Sequence, residues 1–122
     1  MLYTVLCYHD EDITAAWSRE EEAAVVDQLI AVHDKWGGTF RPVVRLMPTN
    51  TATSVRKSGT LVTDGPFAET KEQLLGIYVI EVADLEEALA VARDLGRANP
   101  TANYEVRPVM ALVPDAGLAG AS

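Results

Sequence analysis

Two stretches of the chain are rich in β-forming residues and apolar on both sides. Leu2–His9 sets Leu2, Leu6 and Tyr8 on one side and Tyr3, Val5 and Cys7 on the other. Gly76–Val82 sets Ile77 and Val79 against Tyr78, Ile80 and Val82. Two further stretches carry the helical period. Ser18 with Glu21 forms a capping box, Val25, Leu29, Val32 and Trp36 form a stripe flanked by Val26 and Ile30, and Gly37-Gly38 closes the helix. Asp84 with Glu87 opens a second helix, whose buried stripe is Leu85, Ala88, Leu89, Ala92 and Leu95 and whose expected end is Gly96.

Weaker signals fill the gaps. Ile13–Trp17 reads as a short helical turn, and Glu69–Leu74 as one or two turns. Thr39–Met47 is a strand in which Pro42, lacking an N–H, requires an edge position or a bulge. Thr51–Lys57 and Thr60–Thr63 form a hairpin around Ser58-Gly59, and Tyr104–Val109 is the last strand. The order is βαβ, hairpin, βαβ. It predicts an α+β domain of ferredoxin-like βαββαβ plan with a hairpin insertion, spanning residues 1–113, followed by a flexible tail, 114–122. Two helices cover one face of such a sheet, yet both central strands are apolar on both faces. The expected solution is a homodimer with two sheets packed face to face, a dimeric α/β barrel.

With 122 residues, 48% apolar, the chain has room for one core. Eighteen acids against ten bases give a net charge of -8, which speaks against nucleic acid and anionic membrane surfaces as partners. Nothing approaches the length of a membrane span, and Met1–Tyr8 lacks the basic leader and cleavage site of a signal peptide. The one cysteine, Cys7, fits a reducing cytoplasm and reads as an inert buried thiol. Much of the acid excess is structural, because Glu20–Glu22, Asp84, Glu86 and Glu87 fall in helix caps and first turns.

Asp64-Gly65-Pro66-Phe67-Ala68-Glu69-Thr70-Lys71-Glu72 combines two turn dipeptides with an aromatic residue that has to bury nearby and several ionisable groups. Gly65 can take positive φ, and Pro66 fixes the next turn. This string, with "VTDGPFAETKEQLLGIYVIEV", "DLEEALAVARDL", "YEVRPV" and the opening "MLYTVLCYHDED", resembles the DGPF branch of the YCII-related proteins over nearly the whole chain. The resemblance implies a ferredoxin-like fold, a dimeric α/β barrel and a bacterial cytoplasmic protein. Related proteins are regarded as enzymes through a His–Asp pair in a cleft, and one eliminates chloride from a chlorinated aromatic. In them an Asp closes the first strand and a His lies in the first helix. Here Asp10 is the match for the Asp, and Glu20–Glu22 occupy the helix position.

Asp64 is either a general acid or base, or an Asx-turn that holds the bend. His9 is its candidate partner, with Asp10 and Glu69 as further catalytic candidates. Pro66, Phe67 and Tyr78 are candidates for pocket walls, and Lys71 and Arg107 for clamps on an anionic group, although Arg107 could equally pair with Glu105. His33, beside Ile30 and Val26, reads as a half-buried helix residue. No phosphate-cradling glycine loop, nucleophile triad or metal-ligand spacing occurs, so no cofactor or metal is expected. Two functions are open. One is a cofactor-free isomerase or lyase using acid–base chemistry on a compact anionic or aromatic small molecule. The other is a non-catalytic ligand-binding or regulatory module, associated with a sigma factor as the gene context of DGPF proteins implies.

Overall fold

The two doubly apolar strands pair with each other. In the computed structural model, which describes residues 1–113, β1 (Leu2–His9) runs antiparallel to β5 (Gln73–Glu81), with Val5 opposite Tyr78 and Tyr3 opposite Ile80. On the far side of β1 lies β6 (Asn103–Pro108), and on the far side of β5 lies β2 (Phe40–Arg45). The result is a four-stranded antiparallel sheet in the order β2-β5-β1-β6. It is open, with β2 and β6 as its edges. The tail expected over residues 114–122 lies outside the described residues.

Three helices connect the strands: α1 (Glu11–Ala15), α2 (Arg19–Trp36) and α3 (Leu85–Ala98). Alternation along β1 sends Tyr3, Val5, Cys7 and His9 to the side of α2 and α3, where all four are buried. Ile80, Val91, Leu95 and Val32 complete this core. Leu2, Leu6 and Tyr8 of β1, with Ile77 and Val79 of β5, face the other way and are only half-buried. This face carries neither long helix.

The caps follow their chemistry. Ser18 Oγ accepts from the N–H of Glu21 at 3.1 Å, and the Glu21 carboxylate accepts from the Ser18 N–H at 3.2 Å. Asp84 accepts from the N–H of Glu87 at 2.9 Å, but the Glu87 carboxylate takes the N–H of Ala83 instead of completing the box. Gly37, at φ 44, ends α2 as expected.

Four expectations need correction. Leu85, expected in the buried stripe of α3, is 48% exposed, and the buried residues of that helix are Ala88, Val91, Leu95 and Ala98. Gly96 does not end α3, which continues to Ala98 and stops at Asn99, ahead of Pro100. Gly96 keeps helical geometry while lying beside the Tyr104 ring. The stretch Glu69–Leu74 forms no helical turns. A register shift at Cys7/Tyr8 lets Leu74 and Gln73 continue pairing with Tyr8 and His9, and the Gln73 side chain accepts from the N–H of Glu11 at 3.1 Å. Phe67 does not bury: it is 75% exposed. Pro42 lies on an edge strand whose register also shifts between Phe40 and Val43, so both devices available to a strand proline are present.

The insertion is a separate two-stranded sheet, β3 (Thr53–Arg56) with β4 (Leu61–Asp64), turned through Lys57 and Ser58 at positive φ. Gly65, at φ 88, donates its N–H to the Ala52 carbonyl at 2.7 Å, and Ser54 Oγ donates to the Gly65 carbonyl at 2.8 Å. Arg56 donates to the Phe67 carbonyl, so the Asp-Gly-Pro-Phe turn is tied to the hairpin through its backbone.

A cleft between helix α2 and the sheet

Helix α2 is fastened at both ends and loose in between. Near its C-terminus Lys35 Nζ and Trp36 Nε1 donate to the Asp94 carboxylate on α3, at 2.7 and 3.0 Å. Near its N-terminus Glu22 pairs with Arg45 at the end of β2, at 2.9 Å. Between these points only Val32 is buried; Val25, Val26 and Leu29 are half-buried and Ile30 is 51% exposed. Val25 and Leu29 of the predicted stripe, with Val26 and Ile30 beside them, form one wall of a cleft of about 240 Å³, while Val32 is buried in the core and Trp36 packs against it. Val43, Leu75 and Gly76 form part of the opposite wall.

Polar side chains converge on the interior of this cleft. Cys7, His9, Tyr78 and Tyr104 reach it from the buried face of the sheet, His33 from α2 and Asn99 from the end of α3. His33 stands against Phe40, with ring centroids 4.5 Å apart, and meets Tyr78 edge-on at 5.7 Å. Its Nε2 is buried without a hydrogen-bond partner among the described residues, and so is Oδ1 of Asn99. Such orphans are uncommon in folded proteins and call for an explanation.

His9 differs from His33. It is 1% exposed, and both ring nitrogens are engaged. Nδ1 donates to the Asp10 carbonyl at 3.1 Å, since a carbonyl can only accept, and in the neutral ring Nε2 accepts from the Thr101 hydroxyl at 2.7 Å. Trp17 packs edge-on against it, with centroids 5.4 Å apart. Burial pushes the Tyr78 hydroxyl up to about 12 and the Tyr104 hydroxyl higher still, so both are neutral donors through the physiological range. Burial also raises the Cys7 thiol, against a smaller opposing effect of the Tyr104 hydroxyl beside it. The deep part of the cleft therefore offers neutral hydrogen-bonding groups and an imidazole, while the ion pair stands at its mouth.

The structure brings His9 and Tyr78 together here and places the other candidates elsewhere. Asp10 caps α1, its carboxylate accepting from the N–H of Asp12 at 2.9 Å. Asp64, at the end of β4, is exposed and is not a hydrogen-bond partner of His9. Glu69 and Lys71 are exposed on the segment leading to β5. Pro66 and Phe67 border a different hollow, of about 560 Å³, together with Tyr8 and Leu74. Arg107 pairs with Glu105 on β6. Among the described residues no group of three or more His, Cys, Asp or Glu could hold a metal ion, and no helix is long and apolar enough to cross a membrane.

His33, Asn99, Tyr104 and Trp17 were not legible as site residues. For His33 a signal existed: it follows Leu29 by four positions, on the stripe that faces the sheet. Asn99 and Tyr104 belong to the site through tertiary packing alone.

Comparison with known proteins shows the family. A protein of Rhizobium meliloti (strain 1021), itself described as uncharacterized, is 57% identical over 114 residues, 89% of this chain and 92% of that protein. The family model of the YCII-related domain matches residues 1–113, the whole of the described sheet, helices and hairpin, and the chain accordingly belongs to the YCII-related family.

Proposed function

We propose that this YCII-related chain is a cofactor-free acid–base catalyst for a compact, neutral small molecule, and that the cleft under α2 is its site. The observation that carries this reading is Nε2 of His33, without a partner among the described residues, in a lining that is apolar or neutral apart from the Glu22–Arg45 pair at its mouth. An imidazole is the side chain best suited to move a proton near neutral pH. In the tautomer with its proton on Nδ1, Nε2 takes a proton from a carbon or hydroxyl of the bound molecule. Tyr78, at the edge of the same ring, is a neutral donor for the charge that develops. His9 has a positioning role, because both its nitrogens are committed. A dimer of ferredoxin-like units joined through the half-buried sheet face accompanies this reading. It rests on Leu2, Leu6, Tyr8, Ile77 and Val79, which a lone chain leaves incompletely covered.

A general probe of a buried base is 5-nitrobenzisoxazole. Its C–H proton passes to the base as the ring N–O bond breaks, giving a nitrile and a coloured phenolate. The wild-type protein should accelerate this opening, and His33→Phe should lower the rate about a hundredfold while leaving thermal melting within a few degrees. Equal rates in the two proteins would refute the assignment of His33. Binding of the probe without turnover in either protein would leave a ligand-binding module as the better description.

A further inference from the structure

Asn99 supplies the one side-chain amide among the described residues that line the cleft; it is 7% exposed and is held in place from three directions. Its backbone N–H donates to the Leu95 carbonyl at 3.0 Å as the cap of α3, and its carbonyl accepts from the N–H of Ala102 at 3.1 Å. Its side-chain Nδ2 donates to the Tyr104 hydroxyl at 3.3 Å. That hydroxyl in turn lies beside the Cys7 thiol. The loop that follows is fixed as well, because Thr101 is bonded to the committed ring of His9. With Nδ2 turned to Tyr104, Oδ1 points away from that partner and has none of its own among the described residues.

A buried amide oxygen can only accept, so what is missing from this place is a donor. The neutral surroundings say which kind. The titratable groups facing the deep part of the cleft are Cys7, Tyr78 and Tyr104, all held in their protonated forms by burial, and the imidazoles of His9 and His33. The carboxylate and guanidinium of the cleft, Glu22 and Arg45, are engaged with each other. A cationic ammonium placed against Asn99 would have no counter-charge there, whereas a hydroxyl or neutral N–H satisfies the oxygen without one.

We infer that Asn99 is a specificity-determining residue, and that its Oδ1 selects a ligand carrying an uncharged O–H or N–H donor on the end that enters the cleft. This rests on the assignment of the α2 cleft as the binding site. It adds the polarity and direction of the ligand: donor end inward against Asn99, the other end outward toward the mouth of the cleft at Arg45 and Glu22. Rejection of analogues that lack the donor follows, because they would leave the buried oxygen unpaired.

The test compares benzyl alcohol with benzyl methyl ether, which differ in the donor, by titration of the ¹⁵N-labelled protein followed by NMR. The wild-type protein should bind the alcohol about tenfold more tightly than the ether, with the alcohol alone shifting the Asn99 side-chain amide resonances. In Asn99→Leu the preference should fall to about onefold while ether binding persists. In His33→Phe the preference should survive. Equal binding of the two probes in the cleft of the wild-type protein overturns the role of Asn99 and leaves the cleft assignment standing. A preference that survives in Asn99→Leu but vanishes in His33→Phe overturns it too, since the imidazole would then be reading the donor. Binding of neither probe, or binding with shifts confined to residues outside the cleft, overturns both. If Asn99→Leu fails to fold, the wild-type resonances still decide, because an Asn99 amide signal indifferent to the alcohol contradicts the contact.

Discussion

The Thr101 hydroxyl stands 2.7 Å from Nε2 of His9 and joins the loop after α3 to the end of β1, across 92 positions of sequence. With the Asp10 carbonyl on Nδ1, it completes the hydrogen bonding of a ring that is 1% exposed. Removing the hydroxyl while keeping the shape, as in Thr101→Val, strands a buried polar atom. The expected cost is about 1–3 kcal/mol, read as a lower urea midpoint at unchanged slope. Because the same contact fixes the loop that carries Asn99, the variant should also weaken benzyl alcohol binding. Unchanged stability would mean that solvent reaches His9 and that the contact is incidental.

Asp94 ties α2 to α3, and its carboxylate titrates below its ordinary range. The hydrogen bond from Lys35 is the largest cause and burial opposes it, while Trp36 and Arg97 add to the lowering. The sign follows from linkage. A carboxyl with a lower value in the folded than in the unfolded chain contributes stability that is complete above about pH 4 and is lost as the pH falls through the folded value. Asp94→Asn should therefore cost about 1 kcal/mol at pH 7, a modest figure because Lys35 is largely exposed, and should flatten the loss of stability below about pH 4. Chemical denaturation at pH 7, 5, 4 and 3 checks both halves. Parallel pH curves for the two proteins would show that the acid sensitivity arises elsewhere.

Gly96 occupies the interior of α3 with ordinary helical φ, and a Cβ built there meets nothing closer than Tyr104 Cδ2 at 4.0 Å. That is ordinary contact, so alanine should fit and remove the entropic penalty of glycine in a helix. Gly96→Ala should raise stability by about 0.5–1 kcal/mol, seen as a higher melting temperature. A destabilised variant would show that α3 and β6 need closer approach than the structure has.

How far the sequence discloses this molecule depends on the range of the forces involved. Capping at Ser18 and Asp84 is local chemistry, and so is the left-handed turn at Gly65; each is legible from neighbouring residues. The paired faces of β1 and β5 are legible because strand alternation is strict. Gly96 misleads because α3 runs two residues past it and stops at Asn99, ahead of Pro100. Glu69–Leu74 misleads because β5 takes up an extra residue at Leu75 and then resumes pairing with β1 at Leu74 and Gln73, which only the partner strand decides. The cleft is the least legible part. It exists because α2 is pinned at Asp94 and Arg45 while its middle stands off the sheet, a balance of contacts between distant segments. In the Asp-Gly-Pro-Phe string the turn after Asp64 is fastened to the hairpin by Ala52, Ser54 and Arg56, while Asp64 itself is exposed at the end of β4.

The half-buried face of the sheet makes the last prediction. Leu2, Leu6, Tyr8, Ile77 and Val79 lie on it, and Val44 beside them is 43% exposed. If a second copy covers this face, light scattering at micromolar concentration should give the mass of two chains, with an interface of roughly 1,200–2,000 Å². Ile77→Glu would place a charge at its centre, and the expected product is a folded single chain with unchanged helical circular dichroism. Each copy carries a net charge of -8, so the two repel at long range, and raising the salt toward 0.15 M should tighten their association. A wild-type protein that scatters as one chain under all these conditions would rule out the pairing. An Ile77→Glu dimer as tight as the wild type would place the contact on another surface, with the hollow beside Phe67 next to be probed.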